Sequence, residues 1–501
     1  MKNKLRKRMI VGIVVAGGCF GGWLPATGQS FLGAMSLQDA IRIAHSRSPQ
    51  AQMAQLTFLA QYWNFRSYKA ELLPSLNLGA NAGQYNRSLV EVRDPDTGEI
   101  SYVANNTLTN DLSLSIDQNI ALTGGRVSLN TTLARLDQFT YANKIYNSNP
   151  VTINYTQPLR AFNTFKWQKK TAPLQYENSK RRYLEHIEEI TINTTSFFFS
   201  VLSAQNDYKK AVENYNDTKQ LYEIAKKRFA ISSVNKSDLL QLELSLLNSD
   251  LAIHTSRVGL DVAIFSFTSY LGIAESTDLQ LIPPSAVPEI ELVYDVVLAR
   301  AYENSTHRIN QELKMINAAK AVAQAKANKG VEIDLRANLG LSQSADDFKG
   351  AYTNVKDREV VGVTLRMPIY DWGMGRGRVR MAEAEESLAR TEVQQEEIKF
   401  CQDIKIKVIQ FNNQAKQCEI SQRARLIADE RYEITKKRFQ NSSVSVTDLN
   451  TSQKEKDDAQ MQYINQLRTF WTAYFEIRKL SLYDYIDRKD ISAEFDALIE
   501  K

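Results

Sequence analysis

Residues 432–449 read YEITKKRFQNSSVSVTDL, and residues 222–239, which lie 210 positions earlier, read YEIAKKRFAISSVNKSDL, with 12 of 18 positions identical. Self-similarity at one fixed offset constrains a fold more than any local propensity does. A period this long is not a solenoid unit, which spans roughly 20–50 residues. The chain is one structural half written twice. The same offset aligns 151–158 with 361–368. Upstream of the strand region the offset becomes 257, where Ala44 matches Ala301 and Leu78-Gly79-Ala80-Asn81 matches Leu335-Arg336-Ala337-Asn338. The first half therefore carries about 47 extra residues between its strands (257 − 210). A longer surface loop plus one additional hairpin would accommodate them.

Hydrophobic periodicity divides each half in the same way. Residues 36–73 read as helix, with Ser36 as N-cap and Pro49 as an interruption. The period then falls to two. Leu76, Leu78, Ala80 and Ala82 alternate with polar or small residues, as do Leu112, Leu114 and Ile116, and then Val151, Ile153 and Tyr155. Thr123-Gly124-Gly125-Arg126 reads as a hairpin turn. After Pro158 a seam at Ile187, Thr191, Thr194, Phe198, Val201, Gln205, Tyr208, Val212 and Tyr215 keeps 4-3-4-3 spacing. That is a heptad pattern, and about 65 residues of helix would run about 100 Å. Its polar members point to loose, many-helix packing. A second helix starts at Ser237-Asp238 and runs to about Leu271, and a linker follows around Pro283, Pro284 and Pro288. The second half repeats the plan with a helix over 292–328, strands around 333–341 and 361–367, a long helix over 375–439 and a closing helix over 447–485. Ile404, Val408, Phe411, Ala415 and Cys418 form the second long seam.

The first 28 residues read as a signal peptide. Lys2, Lys4, Arg6, Lys7 and Arg8 precede an apolar run, and Ala26-Thr27-Gly28 supplies the small residues that signal peptidase requires. Ala16-Gly17-Gly18-Cys19 offers a competing reading with Cys19 lipidated. All five charges of the net +5 lie in that basic segment, so the remainder is balanced and leaves no basic patch for nucleic acid. No later segment is apolar for long enough to be a transmembrane helix. The expected domains are thus 1–28, a first repeat over 29–290, a second over 291–485, and a charged tail over 486–501.

Catalytic and metal motifs are absent from the sequence. The four histidines are isolated and read as helix-surface residues, and no GxSxG, CxxC or HExxH occurs. Gly373-Met374-Gly375-Arg376-Gly377 lacks the Gly-Lys-Ser/Thr ending of a phosphate loop and reads as a strand-to-helix bend. Cys401 and Cys418 lie 17 residues apart on one expected helix, about 25 Å, too far for a bridge. The expectation is a non-enzyme without cofactor or metal.

The repeated stretch has the form of a turn between two helices. A basic residue and an aromatic (Arg228-Phe229, Arg438-Phe439) lead into Ser232-Ser233-Val234 or Ser442-Ser443-Val444, and Ser237-Asp238 or Thr447-Asp448 opens the next helix. Taken with the order of elements, this resembles the TolC-type outer-membrane efflux protein family over essentially the whole chain after the leader. The resemblance implies a mainly α chain with transmembrane β-barrel strands, in which two tandem repeats form a long coiled-coil helical barrel and a β-barrel completed by homotrimerisation. It implies a passive channel-tunnel in the outer membrane, extending into the periplasm and working with a periplasmic adaptor and an inner-membrane pump. Asp238, Asp448, Phe439 and Phe229 would sit at the periplasmic entrance, with Asp238 and Asp448 as N-caps, as a carboxylate ring, or as both. Ser232, Ser233, Val234, Ser442, Ser443 and Val444 would face the adaptor, and Lys436, Lys437 and Arg438 are further candidates for that face. Val444 and Thr451 occupy the positions where the family's best-known member carries a gate arginine and a second aspartate. An alternative is a periplasmic coiled-coil adaptor or scaffold. The duplication, and strands placed in the middle of each half, count against it.

Overall fold

The computed structural model describes residues 34–93, 95–230, 235–274, 279–284, 287–440 and 444–499. The expected signal peptide, Cys19, and the turn residues Ser232, Ser233, Val234, Ser442 and Ser443 lie outside them.

A two-residue strand β1 (Ala34–Met35) leads to α1 (Leu37–Arg47) and α2 (Pro49–Glu71). Ser36 caps α1 in a reciprocal box with Asp39, and Ser48 caps α2, whose Pro49 stands at the first position, where a missing N–H costs nothing. Four strands follow: β2 (Ser75–Arg93), β3 (Ile100–Ile120), β4 (Gly125–Gln138) and β5 (Asn143–Arg160). Two long helices, α3 (Thr164–Ala230) and α4 (Lys236–Leu271), complete the first repeat. After β6 (Gln280–Leu281), which pairs with β1, come α5 (Tyr294–Asn304), α6 (His307–Lys329), β7 (Glu332–Ala345) and β8 (Lys356–Arg366). The second long pair is α7 (Met374–Gln440) and α8 (Val446–Ser481), and a hairpin, β9 (Tyr483–Asp484) and β10 (Lys489–Asp490), and a short α9 (Phe495–Ile499) close the chain.

The two offsets read from the sequence recur in the helix bounds, with α2 and α6 alone a residue out of step. Adding 210 to the bounds of α3 and α4 gives those of α7 and α8, and adding 257 to those of α1 gives those of α5. The helix expected over 292–328 is instead two, broken at Ser305–Thr306 as the first repeat is broken at Ser48. No proline marks the second break. There Glu185 of α3 accepts from the Thr306 amide and hydroxyl and so holds the corner. The closing helix stops at Ser481 rather than 485, because Leu482 turns left-handed (φ 46°). Gly272, its counterpart in the first repeat, has φ 68° and lies against the Arg47 carbonyl, where an added Cβ would approach to 2.9 Å. The charged tail is structured: β9–β10 straddle the expected boundary at 485/486, and Phe495 packs against Phe58 with tilted rings whose centres lie 5.2 Å apart.

The core lies where the helices crowd together. Phe198, Val201, Phe267, Phe411, Phe470 and Tyr474 are buried, together with the expected seam residues Thr191, Thr194, Ile404, Val408 and Cys418. The buried threonines return their hydroxyls to carbonyls one turn back (Thr194 to Ile190, Thr195 to Thr191), which lets polar side chains sit in a packed seam. His45 and His307 are not surface residues as expected. His45 bonds the Thr191 hydroxyl at 2.7 Å, and His307 bonds Glu397 and stacks on Phe400. Cys401 and Cys418 are both free thiols on α7.

All six long strands form one antiparallel sheet in the order β2-β3-β4-β5-β7-β8. The additional hairpin expected in the first half is β3–β4. The longer surface loop is only a short turn, since the remaining residues extend β2 and β3 to 19 and 21 residues. One face carries Leu76, Ile116, Leu129, Ile153 and Leu339 side by side, all exposed, and the other carries Asn77, Asp117, Ser128, Asn154 and Asn338. A sheet with an exposed apolar face and a hydrogen-bonded polar face is suited to lipid on one side and water on the other. No helix among the described residues is long and apolar enough to cross a membrane.

Candidate functional site at the helical tip

The repeated phrase lies where α3 turns into α4 and α7 turns into α8, at the end of the long helices away from the sheet. The residues that cap the returning helices are Asn235 and Ser445, not Asp238 and Asp448. Each aspartate stands three residues further on. The Asp238 amide donates to Asn235 Oδ1 at 2.8 Å, and the Asp448 amide donates to Ser445 Oγ at 3.1 Å. The Asp448 carboxylate returns the contact by accepting from the Ser445 amide at 3.3 Å, which completes a capping box, and it also accepts from the Ser445 hydroxyl at 2.7 Å. The sequence pattern S-x-x-D from 445 to 448 carries that signal, and the expected cap falls three residues too late. The bonds from Ser445, with the charges of Arg438 and Arg431 nearby, hold the Asp448 carboxyl below its ordinary pKa. Asp448 remains exposed, and Asp238 is half-buried. Both anions stand in the first turn of a helix at the mouth of the hairpin.

The two aromatics of the motif diverge. Phe439 is buried among Leu221, Ala225, Leu242, Tyr432, Val446 and Leu449, whereas Phe229 is exposed. Phe439 therefore packs one helical hairpin against the other instead of facing the entrance. Val444 borders the same cluster.

Four polar contacts tie the hairpins together above that cluster, and motif reading missed them all. Tyr432 donates its hydroxyl to Asp217 at 2.9 Å, and Lys436 pairs with the same carboxylate at 2.8 Å. Lys436 is thereby engaged within the chain, while Lys437 and Arg438 remain exposed. Burial, then the Asp217 charge, pushes the Tyr432 phenol far up, so it stays a donor. Lys456 of α8 lies 4.3 Å from the Tyr432 ring centre. One turn and more above, Lys210 and Asn214 of α3 donate to Asp457 of α8, each at 2.9 Å. Heptad spacing predicts such contacts only once the partner helix is known. No cluster of metal-ligating side chains occurs among the described residues.

Residues 300–481, which contain most of the second repeat, match the family model described as outer membrane efflux protein. The matched segment holds α7 and α8, whose bounds are those of α3 and α4 in the first repeat moved by 210. The fold of the chain is similar to that of the Campylobacter jejuni CmeC outer membrane channel, with a TM-score of 0.66 at 15% identity over 93% of this chain and 88% of that one. It is also similar to the Vibrio cholerae outer membrane protein VceC, with a TM-score of 0.62 at 13% identity over 89% of this chain and 95% of that one. A third match is the open state of the Neisseria gonorrhoeae MtrE outer membrane channel, with a TM-score of 0.52 at 13% identity over 91% of both chains. No curated protein matches it by sequence.

Proposed function

We propose that three copies of this chain form a passive channel-tunnel of a tripartite efflux or export system. Its sheet would stand in the outer membrane and its helices would cross the periplasm to meet an adaptor and an inner-membrane pump. It carries no catalytic step. What supports assembly is an unfinished symmetry. Within the chain α3 packs on α8, and Lys210 meets Asp457 while Ser196 meets Arg468. Carrying that contact forward by one repeat replaces these pairs with Ile420 against Leu247 and Ile406 against Val258 (210 + 210 and 457 − 210; 196 + 210 and 468 − 210). Those four apolar residues lie on α7 and α4, and all are more than half exposed in the single chain. Leu247 and Val258 belong to a stripe on α4 (Leu240, Leu244, Leu247, Leu251, Val258, Val262, Phe265) at heptad spacing that is left exposed among the described residues. Exposed apolar seams of this size mark an interface. An α7–α4 contact between neighbours repeats the α3–α8 contact within each, and such head-to-tail contacts close into a ring.

The carboxylates of Asp238 and Asp448 would then ring the periplasmic mouth, with the turn residues 232–234 and 442–444 toward the adaptor. In the test, membranes are fractionated and efflux is measured in a strain lacking the gene. A detergent-stable trimer in the outer-membrane fraction, with solute efflux restored by the chain, is the expected result. A monomer in the soluble periplasmic fraction would overturn the reading.

A further inference from the structure

The same unfinished symmetry reaches the sheet, and there it makes a prediction about how wide the outer-membrane wall is. The second repeat gives two strands, β7 and β8, and the first gives four. By the offsets β2 is the counterpart of β7, and β5 that of β8, so β3–β4 is an insertion between equivalent strands. Such an insertion could fold away from the wall, as an external flap or a plug, and leave β2 beside β5. It does not.

β3 pairs along its length with β2, and β4 pairs along its length with both β3 and β5. The alternation of the older strands continues through the insertion: Ile116 and Leu129 lie on the apolar face, and Asp117 and Ser128 on the polar one. The polar face is joined across the seam, since Asn77 and Ser115 donate to Asp117 and Arg126 pairs with it at 3.2 Å. The lower turn of the insertion is pinned to the base of the wall. Asn163, just before α3, donates to the carbonyls of Ala121 and Leu122, and Asn119 donates to that of Glu71 at the end of α2. Inserting two strands also preserves the antiparallel sequence, which a single strand would have broken.

The sheet ends in two open edges, β2 and β8, exposed along their length except at Ser88. Open edges are not tolerated in hydrocarbon, so each needs a partner strand. β2 and β8 run in opposite directions, as antiparallel closure requires. The junction of the repeats within the chain, β5 to β7, supplies the template for the junction between chains. There Asn154 stands opposite Asn338, and Tyr155 opposite Ala337. Moving β5 forward by 210 and β7 back by 257 places Thr364 opposite Asn81 and Leu365 opposite Ala80 of the next copy.

On the trimer argued above, we infer that each chain gives six strands to the wall and that β8 of one copy pairs with β2 of the next in the Thr364–Asn81 register, closing an 18-stranded barrel. Two strands from each repeat would give 12. At the strand spacing and tilt usual for barrels, 18 strands enclose a diameter of about 36 Å and 12 about 24 Å. The outer pore is thereby half again as wide as equal repeats would make it.

The test uses the full chain in outer membranes, with Asn81→Cys and Thr364→Cys combined. Within one chain these positions lie on opposite sheet edges, about 24 Å apart, beyond the reach of a disulfide. Oxidation should convert the protein to a covalent trimer on non-reducing gels. Asn77→Cys with Thr364→Cys, four residues out of register, should link at less than a tenth of that yield. Cryo-EM of the wild-type protein in lipid nanodiscs should count 18 strands. A trimer with 12 strands and residues 100–138 outside the wall would overturn the inference while leaving the tunnel intact. Efficient linking by the out-of-register pair would overturn the register. Absence of any trimer would overturn both the inference and the tunnel.

Discussion

Tyr432 of α7 gives its hydroxyl to Asp217 of α3 across 2.9 Å, and Lys436 reaches the same carboxylate. This contact lies one heptad above Phe439, where the motif places an aromatic but the structure buries it in the core. The hairpins are thus joined by a polar lock set back from the turn. In the proposed tunnel, this lock is the candidate for what keeps the tip closed.

Tyr432→Phe removes one charge-assisted hydrogen bond and should cost about 1.5–3 kcal/mol in closed-state preference. Asp217→Ala removes both partners at once. In planar bilayers both variants should open more often than wild type, with Asp217→Ala the larger effect. Closed-state lifetimes equal to wild type in both would show that the lock only packs the helices.

At the mouth, Asp448 is held in its charged form by Ser445. A carboxylate with a depressed folded pKa keeps its charge to lower pH. Cation selectivity should therefore persist below the ordinary carboxylate range and collapse only as pH falls through the lowered pKa. Asp448→Ala and Asp238→Ala should each reduce cation selectivity at neutral pH. Ser445→Ala, which removes the cap, should cost about 1 kcal/mol of local helix stability. If neither aspartate variant alters selectivity or divalent block, their role is confined to the helix ends.

The repeat offsets, the long helices and the period-two strands were legible because each rests on a pattern within one element. The position of a contact between elements was not. The S-x-x-D spacing announced a helix start but did not say which residue caps it, since Ser445 and Asp448 satisfy one another reciprocally. Phe229 and Phe439 occupy the same place in the repeat, yet only Phe439 meets Leu221 and Leu242 across a hairpin interface. Asp217, an ordinary polar residue on a helix face, gains its role only from the Tyr432 opposite. The inserted hairpin was legible as a length difference, and its place in the wall came from pairing.

Arg478 supplies a second link between repeats. Its guanidinium forks onto Glu188 of α3 at 2.7 and 2.8 Å and also reaches Asp484 at 2.8 Å, and Tyr474 donates to Asp484. Glu188 is 1% exposed, and burial raises its pKa against the pull of Arg478. Removing one partner leaves the other buried and unpaired, so Arg478→Ala should cost about 3–5 kcal/mol. The expected readout is a clear fall in the heat-dissociation temperature of the detergent-extracted trimer. An unchanged temperature would contradict it.

His45 lies beside that cluster. Burial first, and the Arg478 charge second, lower its pKa from 6.5 to about 4. A base whose folded pKa is depressed is neutral in the folded chain while the unfolded chain takes up a proton. Its contribution is thus intact above pH 6.5 and is lost as pH falls from 6.5 toward 4. The full effect is at most about 3 kcal/mol. His45→Gln, which keeps a polar group facing the Thr191 hydroxyl, should flatten the stability profile between those pH values. Thermal unfolding of wild type and variant at pH 7.5, 5.5 and 4.5 measures it. Parallel curves for the two proteins would show that the acid sensitivity of the fold arises elsewhere.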